Sequence, residues 1–424
     1  IFMNLCVAHR FGQALVFVSL TLASVQGVAS PAPPTATLSL DSLLTEVESR
    51  SPTLLSRQAS ERAAQTHARQ AGAFDDPMVM VELWQTPTTA DRLPLMVTLR
   101  QPIPWPGKLS ARAAVARLDE ERAQTETALA KRSLRLAAVR SYYLLLLAHR
   151  SLTVQSQNQK LMQVVVSSVD GRYRVGRAEL AELLDAQEAV HEQETLLYEL
   201  QRDREQAETE ILSLLGEQSR RPLGVPTSIP EFAPLPSLET LIEQAMRGRP
   251  ELALSQVMRK QAQAKVSQAR SERAPDLAVS GSFMAPLRGD MERTFTVGIQ
   301  TSIPSFSLLR SSAAEREAEA LSEQVRQDQN QLAATITAEV RSAYLRVATV
   351  QRHLSLHRED LIPLSDRAVQ AARAGYLSGR IGLTLLLSTT QRLLQQRLAY
   401  ERFLAEYGLR RAELDFSVGQ GAAP

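Results

Sequence analysis

From Lys108 to Asp170 the chain contains neither proline nor glycine, and Gly107 and Gly171 bound the run. Built as a single helix, this stretch would be roughly 95 Å long at 1.5 Å rise per residue, wider than a globular core. Uninterrupted runs of such length belong to coiled coils, membrane spans or helical repeats. The charges at Arg112, Arg117, Asp119, Glu120, Glu121, Arg122, Lys131 and Arg132 exclude a membrane span, so the stretch must lie against other long helices. Gly171-Arg172-Tyr173-Arg174-Val175-Gly176 supplies a turn, and a second run free of both breakers, Arg177 to Leu215, returns. The pattern predicts a helical hairpin with helices over about 107–171 and 177–215.

The chain is written twice. Ser39-Leu40-Asp41 recurs as Ser237-Leu238-Glu239, each a helix N-cap followed by an acidic first turn, 198 residues apart. Pro52 and Pro77 recur as Pro250 and Pro275, Ile103-Pro104 as Ile303-Pro304, and Val139-Arg140-Ser141-Tyr142-Tyr143-Leu144 as Val340-Arg341-Ser342-Ala343-Tyr344-Leu345. Tyr173-x-x-Gly176-Arg177 recurs as Tyr376-x-x-Gly379-Arg380, now 203 residues apart. Ordered matches with a slowly growing offset indicate a pseudo-twofold duplication, with a period far above that of solenoids. The expected organisation is a first repeat over 30–216, an irregular proline-rich linker over 217–236, a second repeat over 237–419 and a tail over 420–424. In the second repeat the long helices are expected over about 306–373 and 381–416, and Pro363 should interrupt the first of them.

Each repeat also carries two alternating segments. Val79, Val81 and Leu83 alternate with Met78, Met80 and Glu82, and Leu93, Leu95, Val97 and Leu99 with Met96, Thr98 and Arg100. The second copy alternates Leu277, Val279 and Phe283 with Ser280 and Ser282, and Phe295, Val297 and Ile299 with Thr296, Gly298 and Gln300. Strands are therefore predicted over about 77–84, 93–103, 275–284 and 294–303, with polar hairpin tips at 86–92 and 286–292. Period two with one apolar face fits a half-buried sheet or a membrane barrel between lipid and water. Four strands are too few to close a barrel, so a barrel would require oligomerisation to remove its strand edges.

Targeting favours the barrel. His9 and Arg10 precede an apolar run, Ala14 to Ala23, and Gly27, Val28, Ala29 and Ser30 follow, the order of a secretory signal peptide over 1–29. The sequence opens at Ile1, with Met3 a candidate start. Cys6 is the single cysteine and precedes the apolar run, so neither a disulfide nor a lipid anchor is expected in the exported chain. A formal charge of +2 over 424 residues carries no signature of nucleic-acid binding.

The duplicated halves, the two hairpins and the lead-in Gln101-Pro102-Ile103-Pro104-Trp105-Pro106-Gly107-Lys108 together resemble the TolC-like outer-membrane efflux proteins. So do the Tyr-x-x-Gly turns, the first of them followed by Leu183-Leu184-Asp185-Ala186-Gln187. The resemblance spans Leu38 to Gly419. It implies a mainly α fold with a membrane β-barrel: a homotrimer whose chains build a barrel of about 12 strands in the outer-membrane lipid, continued by an α-helical barrel in the periplasm. It further implies a passive channel component of a tripartite efflux system, not an enzyme and without cofactor. Its tip would dock on a periplasmic adaptor protein and an inner-membrane pump of the resistance-nodulation-division type. The Pro-Gly-Lys lead-in is most similar to the branch that serves heavy-metal cation pumps.

The resemblance also assigns residues. Acidic side chains six and nine positions after the turn glycine line the closed tunnel mouth in this family, and Glu182 and Asp185 stand there after Gly176. The second repeat has Leu385 and Ser388 after Gly379, so the gate ring is expected to be half acidic. Arg172, Tyr173, Gly176 and Arg177, with Gly375, Tyr376, Gly379 and Arg380, are expected at the exposed, adaptor-contacting tip, an arginine- and tyrosine-rich composition suited to an interface. The six histidines are scattered, and the i,i+4 pair His353 and His357 lacks the glutamate of a zinc-protease motif, so it is read as packed or solvated. Methionines show no clustered ladder in the sequence, and no metal site is expected. A periplasmic adaptor would carry one hairpin and lipoyl-like segments where this chain has two equivalent halves, and an exported enzyme or soluble coiled coil would leave the strands unexplained.

Overall fold

The structure, a computed structural model, describes residues 37–83, 93–227, 234–288, 290, 292–302 and 307–420. The expected signal peptide, the first strand-hairpin tip, parts of the second tip and of the linker, and most of the tail lie outside them. The first repeat contains β1 (Thr37–Leu38), α1 (Leu40–Arg50), α2 (Pro52–Gln70), β2 (Met78–Leu83), β3 (Leu93–Ile103), α3 (Lys108–Arg174) and α4 (Leu180–Leu215). After β4 (Val225–Pro226) come α5 (Leu238–Gly248), α6 (Pro250–Ser271), β5 (Leu277–Arg288), β6 (Thr294–Thr301), α7 (Ser307–Leu356), a π turn (His357–Leu361), α8 (Ile362–Leu377) and α9 (Leu383–Val418).

The two repeats are built by the same local chemistry. Ser39 Oγ accepts from the Ser42 N–H at 3.2 Å, and Ser237 Oγ from the Thr240 N–H at 3.2 Å, closing the first turns of α1 and α5. Pro52 and Pro250 sit in the first turn of α2 and α6, where the missing N–H has no intrahelical partner to lose. Gly216 and Gly419 end α4 and α9 at φ of 72° and 94°. A Cβ on Gly216 would stand 2.4 Å from Pro52, and one on Gly419 2.9 Å from the Gly248 backbone. Each return helix thus ends against the junction of its own repeat's two short helices.

α3 is 67 residues long, about 100 Å of continuous helix, and its apolar positions bury in successive stations rather than one core. In the first station Leu43 and Val47 of α1 pack with Val139, Tyr142 and Leu145 of α3 and Ile211 and Leu215 of α4. The second repeat builds its counterpart from Leu241 and Ala245, Val340 and Val347, and Tyr407 and Leu414. Further along α3, a buried amide cluster fixes the register of the first hairpin. Gln155 Nε2 donates to the Gln193 carbonyl at 2.8 Å, and Asn158 Nδ2 to Gln193 Oε1 at 2.9 Å.

The repeats meet closely where α9 crosses α3. A Cβ on Gly408 would fall 2.3 Å from Cζ of Tyr143, whose ring is itself buried. Mid-helix Gly→Ala ordinarily gains about 1 kcal/mol, whereas here overpacking should cost roughly 1–3 kcal/mol. Gly408→Ala should therefore lower the thermal midpoint, and Tyr143→Leu in the same chain should restore part of it. A midpoint raised by Gly408→Ala alone would contradict this packing.

The strands form one antiparallel sheet in the order β2-β3-β5-β6, so that the repeats join through the β3–β5 pair and β2 and β6 are left as edges. Val79, Val81, Phe283, Phe295, Val297 and Ile299 on one face are exposed in the chain, Ile299 by 77%. The opposite face carries Thr98, hydrogen-bonded to Ser282 at 3.0 Å, with Arg100, Ser280, Thr296 and Gln300. Strand meets helix at Gly107, which takes φ of 100°. There the buried Lys108 ammonium reaches Asp276 at 2.8 Å and Glu272 at 3.5 Å, binding the start of α3 to the second repeat.

The structure corrects several sequence expectations. α3 runs through Gly171 to Arg174 and α8 through Gly375 to Leu377, because it is Gly176 and Gly379 that adopt positive φ, 71° and 73°. β5 continues past Met284 to Arg288 rather than turning at Pro286, which stands opposite Pro94 beside a register shift where a missing N–H is tolerated. The linker holds a two-residue strand, β4, paired in parallel with β1. Pro363 leaves the helix continuous by means of the π turn, in which the Ile362 N–H bonds the His357 carbonyl. Four of the methionines, scattered in the chain, share one face of the sheet: Met96 faces Met284, and Met80 and Met78 lie one and two pairs away.

Candidate functional site at the hairpin tips

The two helical turns are the same motif. Arg177 N–H donates to the Arg172 carbonyl at 2.8 Å and Gly176 N–H to the Tyr173 carbonyl at 2.9 Å. Arg380 and Gly379 do the same with Gly375 at 2.9 Å and Tyr376 at 3.0 Å. This is the paired closure that needs a left-handed residue after the helix, which glycine adopts without steric penalty.

Behind the turns Val165 and Val169 of α3, Ala186 of α4, Ala372 and Tyr376 of α8, and Leu383 and Leu386 of α9 form a third core that joins both hairpins. Tyr376 is its centre and is 1% exposed. The Arg172 guanidinium lies over the Tyr376 ring, 4.5 Å from its centroid, donates through Nη1 to the Tyr376 carbonyl, and through Nη2 to the Arg177 carbonyl at 3.0 Å. On the other side the Tyr376 hydroxyl donates to Glu182 Oε2 at 3.0 Å. One side chain of the second repeat is thus clasped between a cation and a carboxylate of the first.

Burial, reinforced by the carboxylate of Glu182, pushes the Tyr376 phenol up to about 12. A raised acid keeps its neutral form, so this contribution is complete below the ordinary phenol value and is lost only as pH rises through about 12. The hydroxyl therefore remains a donor throughout the physiological range.

The expected tip residues divide accordingly. Tyr173, Gly176, Arg177, Gly379 and Arg380 are exposed. Tyr376 is not, and Arg172 is partly covered, because both face the other hairpin, a contact that no local pattern announces; Gly375 is partly covered by Ile381 of its own turn. Glu182 is held by Tyr376, while Asp185, one turn on, is exposed. Val175, Leu180, Leu184, Leu377 and the gate-position Leu385 are exposed apolar side chains around the same end, a patch not expected from the sequence although Leu180 and Leu184 share an i,i+4 face away from Leu183 and Ala186. His353 and His357 are packing residues. His353 stacks on Phe403 at 4.8 Å, and the buried His357 bonds the His353 carbonyl through Nδ1 at 2.8 Å. Among the described residues no group of three or more His, Cys, Asp or Glu could hold a metal ion. No described helix is long and apolar enough to cross a membrane.

The family described as outer membrane efflux protein matches residues 43–217 and 241–420, one match per repeat. The fold is similar to the outer-membrane channel OprN (20% identity, 91% of each chain covered, TM-score 0.75). It is also similar to CusC, solved in work on folding and transmembrane channel formation (16% identity, 90% of this chain and 92% of that one, TM-score 0.76). The outer membrane protein VceC of Vibrio cholerae is a third such structure (17% identity, 91% and 97% covered, TM-score 0.74). No curated protein matches the chain.

Proposed function

The chain belongs to the outer membrane efflux protein family, and on that premise we propose that it is the outer-membrane exit duct of a tripartite exporter, assembled as a homotrimer. The carrying observation is an open four-stranded sheet with two free edges and one exposed apolar face, continuous with helices about 100 Å long. Pairing β6 of one chain with β2 of the next in a threefold ring would remove every edge and give a barrel of about 12 strands, apolar to lipid and polar within. The helices then extend the duct into the periplasm.

The tip is the adaptor contact. Tyr173, Arg177 and Arg380 provide exposed polar and aromatic groups, Val175, Leu180 and Leu377 exposed apolar ones, and Gly176 and Gly379 hold both turns in shape. Beyond the adaptor an inner-membrane pump of the resistance-nodulation-division type supplies the energy. Glu182 and Asp185 from three chains form the fixed negative charge at the mouth, which suits a cationic cargo and supports the heavy-metal reading of the lead-in motif.

In mild detergent the purified protein should elute as a trimer and give unitary conductance steps in planar bilayers. A monodisperse monomer that retains its strands and conducts nothing would overturn the assignment.

A further inference from the structure

Each repeat has a groove between its second short helix and its long helix, and the two grooves treat their arginines differently. The first, a cavity of about 420 Å³, is lined by Gln65 and Arg69 of α2, Gly72 just beyond it, and Ala113, Arg117 and Glu120 of α3. The second, of about 400 Å³ between α6 and α7, includes Gln263, 198 positions after Gln65, with Arg270 and Arg326. There the chain neutralises its own arginines: Arg270 reaches Glu315 at 2.7 Å and Glu319 at 2.8 Å, and Arg326 reaches Glu323 at 2.7 Å. In the first groove Arg69 and Arg117 are exposed, and among the described residues neither has an ion-pair or hydrogen-bond partner for its guanidinium. Glu120, one turn from Arg117, accepts from Gln124 at 3.5 Å.

The groove stands at the level where the sheet gives way to helices. Ala113 and Arg117 lie about 8 and 14 Å along α3 from its first residue, and a Cβ on Gly72 would meet Ala113 at 3.3 Å. The polar headgroup layer of a bilayer extends about 5–8 Å beyond the hydrocarbon, a depth that long arginine side chains reach by snorkelling. Phe74, 63% exposed before β2, and Trp105, 42% exposed after β3, mark the boundary with aromatic rings. The groove also faces outward. Ala113, Arg117 and Glu120 stand 25 residues, about seven turns, before Ala138, Tyr142 and Leu145, which pack in the core beneath α1. In a threefold ring the α3, α4, α7 and α9 helices of three chains, spaced by 8–10 Å, would enclose a circle about 35 Å across between axes. Three α1 and three α5 helices, each about 10 Å wide, would fill that bore from inside, so α1 lies outside, and with it this face of α3.

We propose that this groove binds the headgroup of a membrane phospholipid, its phosphate held by Arg69 and Arg117 and its amino group by Glu120, an assignment that rests on the exit-duct reading, which turns the groove toward lipid. Guanidinium forks match phosphate oxygens, and with no carboxylate competing for them both forks keep their donors for the ligand. Glu120 sets the headgroup type. An ethanolamine ammonium donates hydrogen bonds to a carboxylate, whereas a choline headgroup has no N–H to give. The acyl chains would run past Phe74 onto the exposed apolar face of the sheet at Val79 and Val81. Three such sites, one per chain, would hold the duct at one depth in the bilayer.

Native mass spectrometry of the detergent-solubilised trimer, titrated with phosphatidylethanolamine, tests the site. One lipid should bind tightly per chain, and Arg69→Gln/Arg117→Gln should weaken that binding about tenfold or more. Glu120→Gln should abolish the preference for phosphatidylethanolamine over phosphatidylcholine. Arg352→Gln/Arg358→Gln removes the same charge from exposed positions on α7 and the π turn, and should leave binding unchanged. Equal weakening in the two arginine variants would mean general attraction to a basic surface, and overturns the site; so does unchanged binding in the groove variant. Millimolar inorganic phosphate should leave the lipid in place, and displacement by it would show a free-phosphate site and overturn the lipid assignment. An intact trimer that retains no lipid brings down the site alone, whereas a chain that forms no trimer before lipid is added brings down the duct reading with it.

Discussion

Arg172→Ala should raise the resting conductance of the reconstituted channel by about two powers of ten in the open-to-closed ratio. Arg172 ties the first hairpin to the second through a charge-assisted hydrogen bond to the Tyr376 carbonyl and by stacking on its ring. A hydrogen bond to a charged group contributes roughly 1.5–3 kcal/mol and a partly desolvated cation–π contact about 1 kcal/mol. Their sum, near 3 kcal/mol, corresponds to about 10²-fold at 1.4 kcal/mol per decade. Tyr376→Phe deletes only the hydroxyl donation to Glu182 and should give roughly a tenth of that effect, about tenfold. Arg174→Ala is the control, because its partner Asp170 lies on the same helix and Arg174 is exposed. Indistinguishable single-channel records from Arg172→Ala and the parent would mean that the clasp does not hold the mouth closed.

Removing the proposed acidic ring should change selectivity, and at Asp185 it should do so without touching closure. Asp185→Asn leaves the Tyr376 clasp untouched, so any fall in cation preference it produces is a charge effect alone. Glu182→Gln/Asp185→Asn removes every carboxylate that these positions offer, since Leu385 and Ser388 occupy the corresponding sites of the second repeat. Reversal potentials under a salt gradient should then lose most of their cation bias, and block by divalent ions should weaken. In about 1 M salt the difference should shrink, because the Debye length falls to ~3 Å. If bias and block at low salt survive the double substitution, Glu182 and Asp185 are surface charges and selectivity is set elsewhere.

What was legible in the sequence was whatever has a local cause. The hairpins followed from long runs without proline or glycine and the strands from period two, because each signature lies within a few residues of its effect; the duplication is legible at long range only because the same local signatures recur in order. The helix ends were misplaced by three or four residues because a glycine terminates a helix only where it takes positive φ, and Gly171 and Gly375 do not. Tyr376 looked like a tip residue for the same reason as Tyr173. Only the packing of α8 against α3 and α4 separates a buried tyrosine from an exposed one. The methionine group is a stricter case, since Met96 and Met284 are 188 positions apart and become neighbours only through the β3–β5 pairing that joins the repeats.

The duplication is exact in plan and unequal in mechanics. Some 20 residues before its tip the first hairpin is cross-braced by Gln155, Asn158 and Gln193, whereas at the matching height of the second hairpin, 203 residues on, the helix widens into the π turn ahead of Pro363. A turn with one residue too many and a proline that donates no hydrogen bond is a point of low bending stiffness. A ring of three chains would then alternate stiff staves with compliant ones. Such a mouth has three moving parts instead of six, and it can widen while half of its circumference keeps the docking face in place.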